Sequence, residues 1–187
     1  MVDLFTDIVK QAAQGDMGAF EQIYKKACGF VYSIALRIAN NKSDAEEVTQ
    51  DVFMQIFKNL KNFEFKSSFK TWAYRITVNT AINKYKQASR EKYHRLEYES
   101  VANRISVMDK TAEFINKESA EERVASFLRV LDPEQRACIL LREIEGLSYK
   151  EMSEVLKINI NTVRSRLRRA RGALLEGVTK GAITHEV

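Results

Sequence analysis

Between residues 63 and 85, six aromatic side chains (Phe63, Phe65, Phe69, Trp72, Tyr74, Tyr85) interleave with Lys66, Lys70, Arg75 and Lys84. Asn79 and Asn83 add two carboxamides one helical turn apart. Aromatic faces stack unpaired bases, cations hold a phosphate backbone, and amides read base edges. That is the chemistry required to capture separated single-stranded DNA. Core packing competes for the same side chains. Trp72 and Ile76 stand four apart and, with Phe69, are accounted for by burial. Phe63 and Phe65 are harder to explain as packing, although one of them is expected to anchor the loop.

A second concentration lies further along. Arg164, Arg166, Arg168, Arg169 and Arg171 fall within eight residues that hold no acid, after a stretch carrying Glu143, Glu145, Glu151 and Glu154. Guanidinium forks grip phosphate and guanine edges bidentately. A solvated helix face is the plain alternative. Opposite the arginines runs an apolar stripe of Val163, Leu167, Ala170 and Leu174, spaced four, three and four. Residues 148–171 therefore read as a short helix, a tight four-residue turn and a second helix. A helix-turn-helix places such a second helix in the major groove. In that geometry Val163 and Leu167 pack against Met152 and Leu156, exposing Thr162, Arg164, Ser165, Arg168, Arg169 and Arg171. Residues near the start of the helix reach base edges and the later arginines reach phosphates. The rival is a helical hairpin whose polar face meets only water. The turn lacks glycine, so Lys157 or Asn159 must take a less common backbone conformation.

The elements that hold these residues are helices. Leu4, Phe5, Ile8, Val9 and Ala12 recur at helical spacing and break at Gly15-Asp16. Phe20, Ile23, Tyr24, Ala27, Val31, Ile34 and Ile38 mark a long amphipathic helix ending at Asn40-Asn41-Lys42. Ser43 with Glu46 reads as a capping box, opening a third helix with Val48, Val52, Ile56 and Leu60 on one face. A loop from Lys61 to Ser67 precedes a fourth helix, Ser68 to Arg90. Residues 95–119 show weak periodicity and read as a flexible linker. Beyond them come Val124, Phe127, Leu128 and Leu131. Asp132-Pro133 with Gln135 then starts a helix through Ala137, Leu140, Leu141 and Ile144 to Gly146. Ser148 with Glu151 caps the next, and Asn161 is expected to cap the last. The reading is all-α: a domain over 1–94, the linker 95–119, and a helix-turn-helix domain over 120–187.

Composition agrees. The chain has 187 residues, 45% of them hydrophobic, with one Pro and seven Gly, too few turn-formers for a sandwich or barrel. No run of eighteen apolar residues or leader peptide is visible, so no membrane insertion is expected. Cys28 and Cys138 form no metal-spaced set and read as buried packing residues in a reducing, cytoplasmic protein. Thirty Lys+Arg against twenty-five Asp+Glu leave a net charge of only +5. His94 and His185 form no ligand or triad arrangement. There is no phosphate-binding glycine loop, and neighbouring pairs such as Glu46-Glu47 and Glu121-Glu122 point in different directions on helices. Neither catalysis nor a cofactor is expected.

DAEEVTQDVF (44–53), SSFKTWAYRITVN (67–79) with TAINKY in register, LDPEQRACILLREIEGLSYKEMSEVL and NTVRSRLRRAR together resemble bacterial RNA polymerase sigma factors of the extracytoplasmic function group. The resemblance covers nearly the whole chain. It implies that the N-terminal domain docks on the polymerase clamp through Glu47, Gln50, Asp51 and Phe53. It further implies recognition and melting of a −10 element, with one base flipped into a pocket. Asn79 matches the pocket position, and Phe63, Trp72 and Asn83 match positions beside it, with Phe65, Lys70, Arg75 and Lys84 completing the −10 set. Thr162, Arg164, Ser165, Arg168, Arg169 and Arg171 would read the −35 element as duplex, with the polymerase flap as a second contact. Asp51 replaces the commoner Glu, Asn83 stands where many members have Asp, and Arg168 sits at a variable position. The resemblance also implies a stress or cell-envelope regulon, association with the nucleoid when polymerase-bound, and an anti-sigma partner.

Two other classes compete with this reading. A helix-turn-helix repressor or activator with a helical sensor accounts for 120–187 equally well but leaves the aromatic loop unexplained, and it predicts palindrome binding as a dimer. A pure protein-interaction module overlaps with polymerase binding.

Overall fold

The computed structural model describes residues 4–102 and 127–183, with side-chain surroundings given for 5–91 and 127–177. Every element among the described residues is helical. We number them α1 (Leu4–Ala13), α2 (Met17–Ala39), α3 (Lys42–Asn59) with a 3₁₀ turn Leu60–Asn62, and α4 (Phe69–Ala102). After these come α5 (Pro133–Ile139) with a π turn Leu140–Ile144, α6 (Tyr149–Leu156) and α7 (Ile160–Ile183).

Local chemistry fixes most boundaries. Asp16 accepts from the Ala19 amide at 3.0 Å and starts α2, while Gly15 turns the chain at φ 101°. Asn40 closes α2 in the left-handed region at φ 57°, its amide bonded to the Leu36 carbonyl. The next cap differs from the sequence reading. Asn41, not Ser43, caps α3, accepting from the Ser43 amide at 2.8 Å and the Asp44 amide at 3.4 Å. Ser68 caps α4 through the Thr71 amide at 3.0 Å. That helix runs past the expected end at Arg90 to Ala102, into the stretch read as linker. The rest of the linker, 103–119, lies outside the described residues, as do Glu121, Glu122 and His185.

In the C-terminal half, Asp132 accepts from the Gln135 amide at 2.7 Å, with Pro133 in the first turn. The expected helix runs without a break from Pro133 to Ile144, but its second part is not α. From Leu140 the backbone widens into a π turn, with Glu145 N bonded to Leu140 O and Leu147 N to Leu141 O. The extra residue rotates Ile144, read as inward, to the surface, where it is 45% exposed. Ser148 and Glu151 form the reciprocal capping box on α6.

The core of the first half is built from Ile23, Val31, Ile34 and Ile38 of α2, Val48, Val52 and Ile56 of α3, and Ala73, Val78 and Ala81 of α4, all fully buried. The second half buries Leu140, Leu141, Met152, Val155, Val163, Leu167 and Ala170. The two cores are continuous. Cys138 lies in the second, its thiol pushed up to about 11 by burial, whereas Cys28 is only half-buried.

Candidate nucleic-acid and partner interfaces

The loop between the 3₁₀ turn and α4 closes on an aromatic cluster. Phe63 packs on Phe65 at 4.7 Å, on Trp72 at 4.9 Å and edge-on to Phe69 at 6.3 Å. Phe69 is buried and meets Phe5 of α1 edge-on at 5.6 Å. Phe63 is therefore the anchor and Phe69 a core residue. Trp72 is only half-buried, so part of its ring face remains available. Phe65 sits at the loop tip, 41% exposed, in the left-handed region at φ 56°. A bulky side chain rarely adopts that conformation, and such strain collects at binding loops.

Beside the cluster lies a cleft of about 400 Å³ lined by Phe63, Glu64, Lys66, Ser67, Trp72 and Arg75. The Nε of Arg75 is buried there without a hydrogen-bond partner. Asn79 and Asn83 follow along α4, half-buried and exposed respectively. Lys84 pairs with Glu47 of α3 at 2.5 Å, and this hydrogen bond raises its pKa against the opposing effect of burial. One residue expected to meet DNA is thus tied to one expected to meet polymerase. A Gln55–Thr80 bond of 3.1 Å joins the same two helices.

On α3, Glu47, Gln50 and Asp51 are exposed, as docking requires. Phe53 is not: it is 6% exposed, with its ring covered by Tyr24 at 4.6 Å. The apolar groups that α3 presents are Met54 and Phe57, 54% and 53% exposed, with Phe57 resting edge-on against Phe20 at 5.1 Å. The sequence reading did not single them out. Their offset from the buried Val52–Ile56 face was the available signal.

The helix-turn-helix forms as expected. Val163 and Leu167 of α7 and Met152 and Leu156 of α6 are all buried. Lys157 supplies the left-handed turn residue at φ 52°, and the Ser153 hydroxyl donates to the Ile158 carbonyl at 2.6 Å to hold the turn. The cap of α7 is Asn159 rather than Asn161, accepting from the Asn161 amide at 2.8 Å. Arg164, Arg168 and Arg169 are exposed, whereas Thr162 and Ser165 are half-buried, Ser165 donating to the Thr162 carbonyl. Arg171 is held by Glu143 at 2.6 Å. Arg166 is half-buried; burial would raise the pKa of Glu134, but its hydrogen bond with Lys86, helped by the charges of Lys86 and lastly Arg166, lowers it.

The two halves touch through polar contacts that no motif signals. Arg136 of α5, 2% exposed, donates to the carbonyls of Leu128, Leu131 and Ile38 at 2.9, 3.0 and 2.6 Å. Its guanidinium also lies 5.9 Å from the ring of Tyr85 on α4. Tyr74 of α4 donates its hydroxyl to Glu145, and Lys70 approaches the same carboxylate at 3.7 Å. Burial, then Glu145, hold the Tyr74 hydroxyl well above its ordinary pKa. Lys86 pairs with Glu134 at 2.6 Å. Glu154 of α6 enters the cleft that holds Trp72 and Arg75.

Among the described residues there is no group of His, Cys, Asp and Glu that could hold a metal, and no helix is long and apolar enough to cross a membrane.

Comparison with known proteins follows the same division. Residues 23–91 match Sigma-70 region 2, and residues 121–174 match Sigma-70, region 4. The chain is 30% identical over 179 residues to the ECF RNA polymerase sigma-E factor of Haemophilus influenzae, covering 91% of this chain and 94% of that one. It is 32% identical over 170 residues to the ECF RNA polymerase sigma factor SigE of Mycolicibacterium smegmatis, covering 89% of this chain but 64% of the longer relative. The structure of CnrH in complex with the cytosolic domain of CnrY is similar at a TM-score of 0.67 and 26% identity, over 95% of this chain and 99% of that one. RpoE of Bartonella quintana, solved with the anti-sigma factor NepR, shares the fold at a TM-score of 0.62 and 23% identity, over 86% and 96% of the two chains.

Proposed function

The chain belongs to the ECF RNA polymerase sigma factors of the sigma-70 family, and from that premise we propose how its own surfaces carry out promoter recognition. It is a transcription initiation factor and not an enzyme. Core RNA polymerase docks on α3 through the exposed carboxylates Glu47 and Asp51, with Gln50, Met54 and Phe57 beside them and Phe53 supporting that face from beneath. Residues 1–94 carry the −10 function and residues 120–187 the −35 function.

The observation that carries this reading is the pairing of two unlike nucleic-acid surfaces in one chain. On α4 and its loop, stackable rings stand beside Arg75, Asn79 and Asn83, suited to an unpaired strand. On α7, arginines rise from a helix whose opposite face is locked into a helix-turn-helix, suited to duplex. A regulator of duplex DNA alone needs only the second. Arg164 and Arg168, one turn apart, are placed for base edges and Arg169 for phosphate. Thr162 and Ser165 face the same groove, and Arg171 lies at its margin.

Cytoplasmic residence with the nucleoid, a dedicated anti-sigma partner and a stress or envelope regulon fit the same reading. The modest net charge fits too, because polymerase delivers the factor to DNA and a large basic surplus is not required. The test of the −10 assignment is Asn79→Ala in complex with polymerase. Normal polymerase binding with loss of permanganate-reactive thymines in the −10 region is the expected result, and normal melting would contradict the pocket role.

A further inference from the structure

The loop before α4 separates two cavities. Glu64 and Lys66 line the cleft that holds Trp72 and Arg75, Phe65 lines a larger cavity of about 660 Å³ toward α1 and α2, and Phe63 borders both. Val9 of α1, Ala27 of α2 and Phe69 form the buried part of the larger cavity's wall, and the rings of Phe5 and Phe30 extend it. Its charges are of one sign: no acid lines it, and the side chains of Lys26 and Lys70 stand exposed at its edge. The Lys26 ammonium lies 5.1 Å from the centroid of the Phe5 ring. That of Lys70 approaches Glu145 at 3.7 Å, looser than a hydrogen bond, so it can take a second anion.

We propose that this cavity binds an amphiphilic anion, an alkyl or aryl body ending in one carboxylate, with the body among the phenylalanines and the head at Lys26 and Lys70. Cavities of roughly 300–1,000 Å³ with mainly apolar walls and a few polar groups are those that take small molecules. Rings on several sides remove an apolar body from water. A nucleobase fits less well, because its hydrogen-bonding edges would be buried against rings. The anionic head gains from two ammoniums and meets no carboxylate of the cavity wall. Occupancy also reaches across the loop, since Phe63 packs on Trp72 at 4.9 Å. Phe65, held at φ 56°, and Lys70 belong to the proposed −10 set, and a ligand engaging both takes them from the unpaired strand. Ligand and strand are therefore antagonists, each weakening the other by the same factor. The antagonism rests on the reading of the loop as part of the −10 surface; the binding site does not.

Decanoate is the probe, with 1-decanol and decyltrimethylammonium as its neutral and cationic counterparts. Calorimetry on the free chain should give one decanoate per chain, with a Kd on the order of 10⁻⁴ M. Decanol should bind at least threefold more weakly, and the cation should show no binding. Lys26→Gln combined with Lys70→Gln should weaken decanoate at least fivefold and change decanol less than twofold, because both side chains are exposed and the apolar wall stays intact. Thr6→Trp, which puts an indole into the cavity from α1, should weaken decanoate and decanol at least tenfold. Should that variant not fold, the lysine comparison decides alone. Absence of saturable binding, equal affinity for the three probes, or decanoate binding unchanged by the lysine pair would each overturn the proposal. One decanoate per two chains, with decanoate dispersing a dimer in sedimentation, would give the cavity to a second copy and overturn it as well. For the antagonism, saturating decanoate should weaken binding of a labelled −10 single strand by the chain in complex with core polymerase at least threefold. Undiminished strand binding would overturn the antagonism. If that complex bound no strand even without decanoate, the −10 reading would fail, while calorimetry on the free chain would still decide the site.

Discussion

The guanidinium of Arg136 donates to the carbonyl of Ile38 at 2.6 Å, so a side chain of the helix-turn-helix half closes the end of a helix in the other half. The same fork binds the Leu128 and Leu131 carbonyls of its own half. One cation thus secures the local fold and the junction together. Burial pulls its pKa below the usual arginine range, but the group stays charged, and its energy comes from the carbonyls of Leu128, Leu131, Arg37 and Ile38 that it satisfies.

Arg136→Ala should lower the unfolding free energy by about 3 kcal/mol, because hydrogen bonds to a charged group are lost and buried carbonyls are left without donors. Arg136→Lys should recover less than half of that, since an ammonium cannot reproduce the planar fork. Urea titration followed by far-ultraviolet circular dichroism measures both. A loss below about 1 kcal/mol for the alanine variant would mean that water replaces the guanidinium readily.

Among the arginines of α7, the proposed duties differ with position. Replacing Arg164 or Arg168 by Ala should weaken −35 recognition by about 1–3 kcal/mol each, as expected for bidentate base contacts. Arg171→Ala should cost less, because Glu143 already holds that side chain at 2.6 Å and competes with phosphate for it. Competition transcription on promoters with altered −35 sequences ranks the three variants. An Arg171 effect larger than that of Arg168 would contradict the assignment.

On α3 the buried ring of Phe53 and the exposed ring of Phe57 stand one turn apart, and the proposed docking face uses the second. Phe53→Ala should destabilise the fold by about 3 kcal/mol, as for a buried aromatic ring. Phe57→Ala should leave the unfolding midpoint nearly unchanged while weakening core polymerase binding by about 1–2 kcal/mol, the range for truncating an apolar contact. Thermal unfolding and a polymerase-binding titration on the same two proteins give the comparison. Equal loss of binding without loss of stability in Phe53→Ala would reverse their roles.

The parts of the fold legible in the sequence are those with a short-range cause. Asp132-Pro133 and Ser148 with Glu151 declare their caps because partner and cap lie within one turn. Val163 and Leu167 declare an inward face because helical periodicity is local. The slips also have a local cause. Asn40, Asn41 and Ser43 can each cap or end a helix, as can Asn159 and Asn161, and the path of the chain decides among them. The π turn at Leu140 inserts one residue per turn, and the register of Ile144 is lost with it.

The proposed nucleic-acid surfaces were legible as sets of residues but not as an arrangement. Interleaved rings and cations mark the α4 surface, yet the sequence does not say that Phe63 anchors, Phe65 projects and Phe69 is buried, because those roles depend on Phe5 of α1. Contacts between the halves left no trace at all. Arg136 binds backbone carbonyls, which every residue carries, and Tyr74 and Glu145 stand far apart in the chain. No spacing rule connects such partners.

The most direct measurement is transcription in vitro by purified core polymerase on a library of promoters randomised at the −10 and −35 positions. Core polymerase with this chain should start at promoters sharing both elements, core alone should start at none of them, and Asn79→Ala and Arg168→Ala should each relax or abolish dependence on one element. No start dependent on the chain, together with tight binding of a palindromic duplex by the chain without polymerase, would contradict it and favour a simple helix-turn-helix regulator.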